Sequence, residues 1–221
     1  DFMYRVTPVF MDDAGVLSYG EAQEAAIELR RDTYPGLLNI TFTRGFISSQ
    51  AFVDNYESEG DISTLLPASA DDGLSFIPTH LKTDKAKEWM GFEAWEVILD
   101  VLDRAIAAPQ AQVRVVAYDL NQPEIVQRLE QLGGRLRIII DDSGSHGEAN
   151  SSETQAEARL KLSAGAGNVK RQHMAKLQHN KTILVDSPNE KTVVCGSTNF
   201  SWRGFFVQSN NALVLYGAQA A

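Results

Sequence analysis

Apolar positions along this chain switch between two periods. From Trp89 to Ala107, the residues Phe92, Trp95, Ile98, Leu99 and Leu102 recur three and four apart, which predicts a helix that Pro109 ends. Val113 to Tyr118 then reads as a short apolar strand. Gln122 to Leu132 reads as a helix, with Pro123 in its first turn and Gly133-Gly134 after its end. Leu136 to Ile140 is a second apolar strand, and Ser151 to Ala164 a third helix with Ser151 or Ser152 as N-cap. Val169 to His173 is a short strand. Leu177 to Val185 and Lys191 to Cys195 are strands joined by a turn at Ser187-Pro188-Asn189-Glu190, and Asn211 to Tyr216 is the last strand. Strands alternating with helices predict an α/β fold, a largely parallel mixed sheet flanked by helices on both faces.

The first part of the chain is less regular. Tyr4 to Met11 reads as a strand, Tyr19 to Asp32 as a helix, Leu37 to Phe46 as a strand and Gln50 to Glu57 as a helix. Pro67-Ala68-Ser69-Ala70-Asp71-Asp72-Gly73 and Pro78 then interrupt the pattern. This sets a boundary: an N-terminal accessory region over 1–88 and a main domain over 89–221.

Charge narrows the functional classes. The formal net charge is -9 over 221 residues, so the chain as a whole is not built as a sequence-independent nucleic-acid binder, which needs clustered Lys and Arg. A local basic cluster, Lys170, Arg171, His173, Lys176 and Arg203, contrasts with that acidic whole. The single cysteine, Cys195, excludes an intrachain disulfide, reads as a buried strand thiol and suits a reducing compartment. No apolar run reaches the roughly 18 residues of a membrane span. The expected location is cytoplasmic. The start at Asp1 leaves a secreted or periplasmic protein open.

The chemistry gathers near the C-terminus. His179, Lys181 and Asp186 are spaced H-x-K-x4-D, and ten residues later comes Gly196-Ser197-Thr198-Asn199, spaced G-S-x-N. On a strand, His179 and Lys181 face one way and Leu184 the other, toward the core. A neutral imidazole can attack phosphorus, an ammonium offsets charge developing on phosphoryl oxygens, and small residues let backbone approach a ligand. Each element alone is common in unrelated proteins; the combination is not.

Those residues resemble the phospholipase D superfamily, over roughly residues 90 to 217, and the layout is similar to one half-domain of its single-motif bacterial nucleases. The resemblance implies a two-step phosphodiester hydrolase or phosphatidyltransferase. A phosphohistidine forms first, and water or an alcohol attacks it next, the substrate being either a phospholipid or nucleic acid. It assigns His179 as nucleophile or general acid, Lys181 and Asn199 as phosphate-binding, Ser197 as a weaker phosphate contact and Asp186 as support. It implies no cofactor and no metal. In many relatives an acidic residue about eleven positions after the motif asparagine holds the histidine; here that position is Asn210, an amide that cannot stabilise an imidazolium as a carboxylate does. Asp141 or Asp142, at a strand end, is a substitute. His146, in the Ser143–Gly147 loop after a strand, is a candidate substrate contact, and His80 reads as a surface residue.

The superfamily mechanism uses two such motifs, and His80, His146 and His173 all lack a lysine two residues on. The expected partner is therefore a second copy of the chain in a twofold homodimer, or a second half-domain. An ending at Gly217 to Ala221 soon after the last strand, with the missing start methionine, favours a fragment of a longer two-motif protein. The competing class is a non-catalytic half-domain that binds phosphate groups or scaffolds a partner.

Overall fold

The computed structural model describes residues 2–27, 33–45, 49–174 and 178–218. The chain divides into two compact units, Asp1–Thr33 and Tyr34–Ala221. The boundary expected at residue 88 falls inside a helix of the second unit.

The first unit is two ribbons. Strand β1 (Phe2–Val6) pairs antiparallel with β4 (Gln23–Ile27), and β2 (Val9–Met11) with β3 (Leu17–Tyr19). Pro8 has no N–H to give a ladder, so the single strand expected over Tyr4–Met11 is split. The helix expected over Tyr19–Asp32 does not form in its described part. Ala25 and Ala26 favour a helix intrinsically, but they pair with Tyr4 and Met3 of β1, and the ladder overrides so weak a preference. Residues 28–32 lie outside the described range.

The second unit is built on a seven-stranded sheet. Its order is β5 (Leu38–Phe42), β11 (Asn211–Tyr216), β10 (Lys191–Gly196), β9 (Lys181–Asp186), β6 (Gln112–Ala117), β7 (Leu136–Ile140) and β8 (Val169–Arg171). The mixed α/β sheet flanked by helices is as the sequence implies, but it is not largely parallel. Only β6–β7 and β7–β8 run parallel; the other four pairings are antiparallel. The reason is connection length. Helices α3 (Pro123–Leu132) and α4 (Ser152–Ala164) carry the chain across to parallel neighbours, whereas the short turn between β9 and β10 can only reverse it.

One sheet face is core. Val113, Val115, Leu136, Ile138, Ile183, Val185, Val194 and Val214 are buried there. Over it, α5 (Trp202–Phe206), α2 (Thr83–Ala107), α3 and α4 pack side by side in that order. The alternate residues, among them Arg114, Val116, Leu184, Leu213 and the free Cys195, stay exposed or half-buried. The cover expected on both faces is therefore seen on one among the described residues, and neither Leu184 nor Cys195 is in the core. Helix α2 starts earlier than its periodicity suggested and kinks at Phe92 (φ 46°, ψ −139°). There the Met90 carbonyl accepts the N–H groups of Arg44 and Gly45, and the Arg44 guanidinium lies 4.0 Å from the Phe92 ring centroid. This clips the end of β5 to the helix. Helix α1 (Gln50–Tyr56), capped by Ser49, forms as expected. His80 is not a surface residue: it is buried, with Nε2 3.0 Å from the Tyr56 carbonyl oxygen.

Candidate functional site

Strand pairing, antiparallel except between β6 and β7, brings five strand ends to one end of the sheet. Lys181, the first residue of β9, stands opposite Ala117, the last of β6. Val116 and Ala117 pair with the final residues of β7, and Gly196 ends β10 against Ala212 near the start of β11. The segments that continue from these ends form a cleft of about 380 Å³, whose lining includes Tyr118, His179, Asn199, His146, Glu153 and Arg203.

The motif residues form one wall. His179 lies just before β9, whose ladder begins at Lys181 and not at Leu177; Leu177 is outside the described residues. Its ring stands edge-on to Tyr118, centroids 4.4 Å apart, and hydrogen-bonds nothing among the described residues. Lys181 is buried on the side of Ile183 and Val185. Its ammonium donates to the His179 carbonyl oxygen at 2.6 Å and sits 4.9 Å from the Tyr118 centroid. Burial lowers its pKa below the ordinary lysine value, against the pull of Asp119 and Asp141.

The Gly-Ser-Thr-Asn turn positions Asn199. At Gly196 (φ +146°) a Cβ would lie 2.5 Å from the Asn211 carbonyl oxygen, and at Gly204 one would lie 2.4 Å from that of Asn199, so both positions need glycine. Thr198 Oγ1 donates to the Asn211 carbonyl oxygen at 2.7 Å. The turn is tied to the end of β6 as well: the N–H groups of Asn121 and Gln122 both donate to the Phe200 carbonyl oxygen at 3.2 Å. Asn199 is buried, and its amide oxygen has no partner among the described residues. Ser197 faces elsewhere. It is exposed, and its hydroxyl accepts the Asn211 N–H at 3.0 Å.

The second wall is acidic and holds His146, whose ring is 4.6 Å from that of Tyr118. Nδ1 lies 2.8 Å from Asp141 Oδ2, and Nε2 lies 3.1 Å from Asp119 Oδ1. Burial opposes a charge on the ring, but the two carboxylates, with Glu153 behind them, raise its pKa to about 9. Asp141 is fully buried. Burial would raise its carboxyl, but hydrogen bonds from Ser143, the Gln178 N–H and His146 outweigh that and hold it below the usual carboxylate range. Glu153, in the first turn of α4, accepts the Leu120 N–H at 2.9 Å, and burial raises its pKa. Burial and the neighbouring carboxylates likewise raise the Tyr118 hydroxyl. Asp119, His146 and Glu153 each offer a donor atom within 4.8 Å of the others, a set able to hold a metal ion.

The remaining sequence candidates stand apart. Asp186 ends β9 at its far end from Lys181 and is ion-paired to Lys191. Asn210 donates to the Gly204 carbonyl oxygen at 2.9 Å, and its N–H to Thr43 Oγ1 at 2.8 Å, so it holds loops and not His179. Asp141 serves His146, and Asp142 pairs with His173 at 2.8 Å. The basic cluster disperses: Arg171 faces Glu157 at 3.7 Å, Arg203 lines the cleft, and Lys176 is outside the described residues. Tyr118, Asp119 and Glu153 were missed from sequence. Their signals were a polar pair directly after a buried strand, where α/β sites gather, and an acid just inside a Ser-capped helix start.

Residues 102–221 match the family described as cardiolipin synthase, PLD-like domain. Solved structures similar to this chain include Nuc, a phospholipase D family member from Salmonella typhimurium, at 28% identity over 53% of this chain and 74% of that one, TM-score 0.42. Polyphosphate kinase from Porphyromonas gingivalis is similar at 14% identity over 56% and 19%, TM-score 0.42. NucT from Helicobacter pylori is similar at 17% over 52% and 76%, TM-score 0.37. No curated protein matches the chain. Among the described residues no helix is long and apolar enough to cross a membrane.

Proposed function

Because this chain belongs to the phospholipase D-like domain family, a family of phosphodiesterase type, we propose that it supplies half of a phosphodiesterase site acting through a phosphohistidine. His179 attacks phosphorus, the bond to the leaving alkoxide breaks, and an acid protonates that oxygen. Water or an alcohol then displaces the histidine. Lys181 and Asn199 bind the phosphoryl oxygens, where charge builds up in the transition state. The observation that carries this reading is the convergence of His179 and Asn199 on one cleft, with the Lys181 ammonium held against the His179 backbone.

The leaving-group acid comes from a second His179, in a twofold homodimer or a second half-domain. Within one chain the other cleft histidine, His146, has both ring nitrogens against carboxylates and is poorly placed to give its proton to substrate. The test is labelling with a radiolabelled phosphodiester, quenched at alkaline pH in dodecyl sulfate where a phosphoramidate survives, with lipid and DNA in separate arms. A phosphoramidate on His179 that His179→Ala removes is the expected result, and the arm that labels gives the substrate class. No label in either arm, with Lys181-dependent phosphate binding intact, overturns catalysis and leaves a phosphate-binding module.

A further inference from the structure

Beside the motif wall the cleft carries a group of side chains that the phosphohistidine chemistry does not use. Asp119 Oδ1 and His146 Nε2 are 3.1 Å apart, and a Glu153 oxygen lies within 4.8 Å of both. Two atoms bound side by side to one ion at 2.0–2.2 Å stand about 3 to 3.5 Å apart, so the Asp119–His146 pair already has that spacing. Glu153, within 4.8 Å of both, comes to that spacing only if its carboxylate moves toward them. From this arrangement we infer that Asp119, His146 and Glu153 form a binding site for one first-row divalent cation, of the Mn²⁺ or Zn²⁺ type.

Two further observations support the inference. The first is the support behind the histidine. Asp141 accepts from Nδ1 at 2.8 Å, which turns Nε2 toward Asp119 and Glu153. Asp141 is itself fixed by the Ser143 and Gln178 N–H groups, each at 3.0 Å. A carboxylate on the far nitrogen is how metal-bound histidines are held and made more basic. The second is the charge on Glu153. It is 4% exposed, lines the cleft and forms no ion pair among the described residues. Glu153, Asp119 and Asp141 share one imidazole, His146, between them; so many carboxylates in a buried cluster are costly, and a cation in the cleft offsets their charge. One imidazole and two carboxylates, with no thiolate, suit Mn²⁺ or Zn²⁺ better than Mg²⁺ or Ca²⁺, which favour all-oxygen sets. Open cleft on the remaining side leaves positions for water or a substrate oxygen. A dication there also neutralises the acidic wall that a phosphodiester meets on its way to His179.

The test is titration of the purified 221-residue chain with MnCl₂, followed by the loss of free-ion electron paramagnetic resonance signal, and with ZnCl₂ by calorimetry. One equivalent is expected to bind saturably. His146→Gln should abolish binding, and Asp119→Asn and Glu153→Gln should each weaken it at least about tenfold. Asp141→Asn should weaken it by about 10- to 100-fold through the histidine. His179→Ala should bind the ion as the unmodified chain does, which separates this site from the phosphohistidine reading. If Glu153→Gln fails to fold by circular dichroism, the half-exposed Asp119→Asn decides alone. No saturable binding of either ion up to millimolar concentration overturns the inference. So does binding that Asp119→Asn leaves unchanged.

Discussion

Two histidines share one tyrosine in this cleft, and they are held in opposite ways. His179 touches Tyr118 edge-on and its ring hydrogen-bonds nothing among the described residues. His146 touches the same ring but is clamped between Asp119 and Asp141, which push its pKa to about 9. A nucleophile needs a free lone pair aimed into space, whereas a clamped imidazolium is a fixed charge or, once deprotonated, a fixed ligand. On the proposed phosphohistidine reading, the contrast separates an attacking wall from a supporting wall although both are made of the same residue type.

The largest test of that contrast is His179→Asn. It should lower turnover of an activated phosphodiester by about 10³-fold or more while leaving the fold intact, because the covalent path is lost. Circular dichroism alongside steady-state rates checks both halves. Loss of similar size from His146→Gln alone, without any cation effect, would show that the two walls do not divide the chemistry this way.

Next in size is Lys181→Met, which keeps the buried stem and removes the charge. A loss of about 10²- to 10³-fold in kcat/KM is expected, the scale of removing one transition-state donor. Burial lowers the lysine's pKa, so in the unmodified chain phosphate binding should fail on the alkaline limb at a pH below the ordinary lysine range. A KM that stays flat through that range would mean Lys181 does not face phosphate.

The supporting wall is sharpened by Asp141→Asn. Its carboxyl is held below the usual range in the folded state, so it contributes stability that is full above the unfolded value near 3.9 and fades as pH falls through the folded value. Asn should cost about 1–3 kcal/mol at neutral pH, for a buried hydrogen-bonded charge network, and flatten the acid side of the stability–pH curve. Urea melts at several pH values measure this.

These walls were legible in the sequence to different degrees. The motif wall could be read because its residues lie within one short stretch: His179, Lys181 and Asn199 all reach the cleft or its edge. The second wall is assembled from the ends of β6 and β7 and the start of α4, and nothing local in Asp119 or Glu153 says that they meet. Period-two parity also misled. It put Leu184 in the core, yet Lys181, Ile183 and Val185 are the buried set. A lysine at a strand's first residue can point to the core side when its charge reaches the carbonyl of His179. Outside β9, the strand-and-helix pattern after residue 89 was legible because apolar periodicity there agrees with burial. Among residues 2–27, pairing between distant strands outweighed local preference.

The smallest expected effect concerns the last motif letter, and it separates spacing from function. Asp186 has the H-x-K-x4-D position but stands at the far end of β9, where it is half-buried and pairs with Lys191. Five residue steps along β9 at about 3.3 Å each put some 16 Å of backbone between it and Lys181, beyond direct action on the cleft. Lys191 keeps its carboxyl below the usual range, a surface pairing of the kind that contributes little. Asp186→Asn should therefore leave kcat/KM within about threefold, under 1 kcal/mol of transition-state stabilisation, and leave the pH profile unshifted. A loss approaching that of Lys181→Met would mean that β9 transmits strain along its length. The aspartate would then count as part of the site despite its distance.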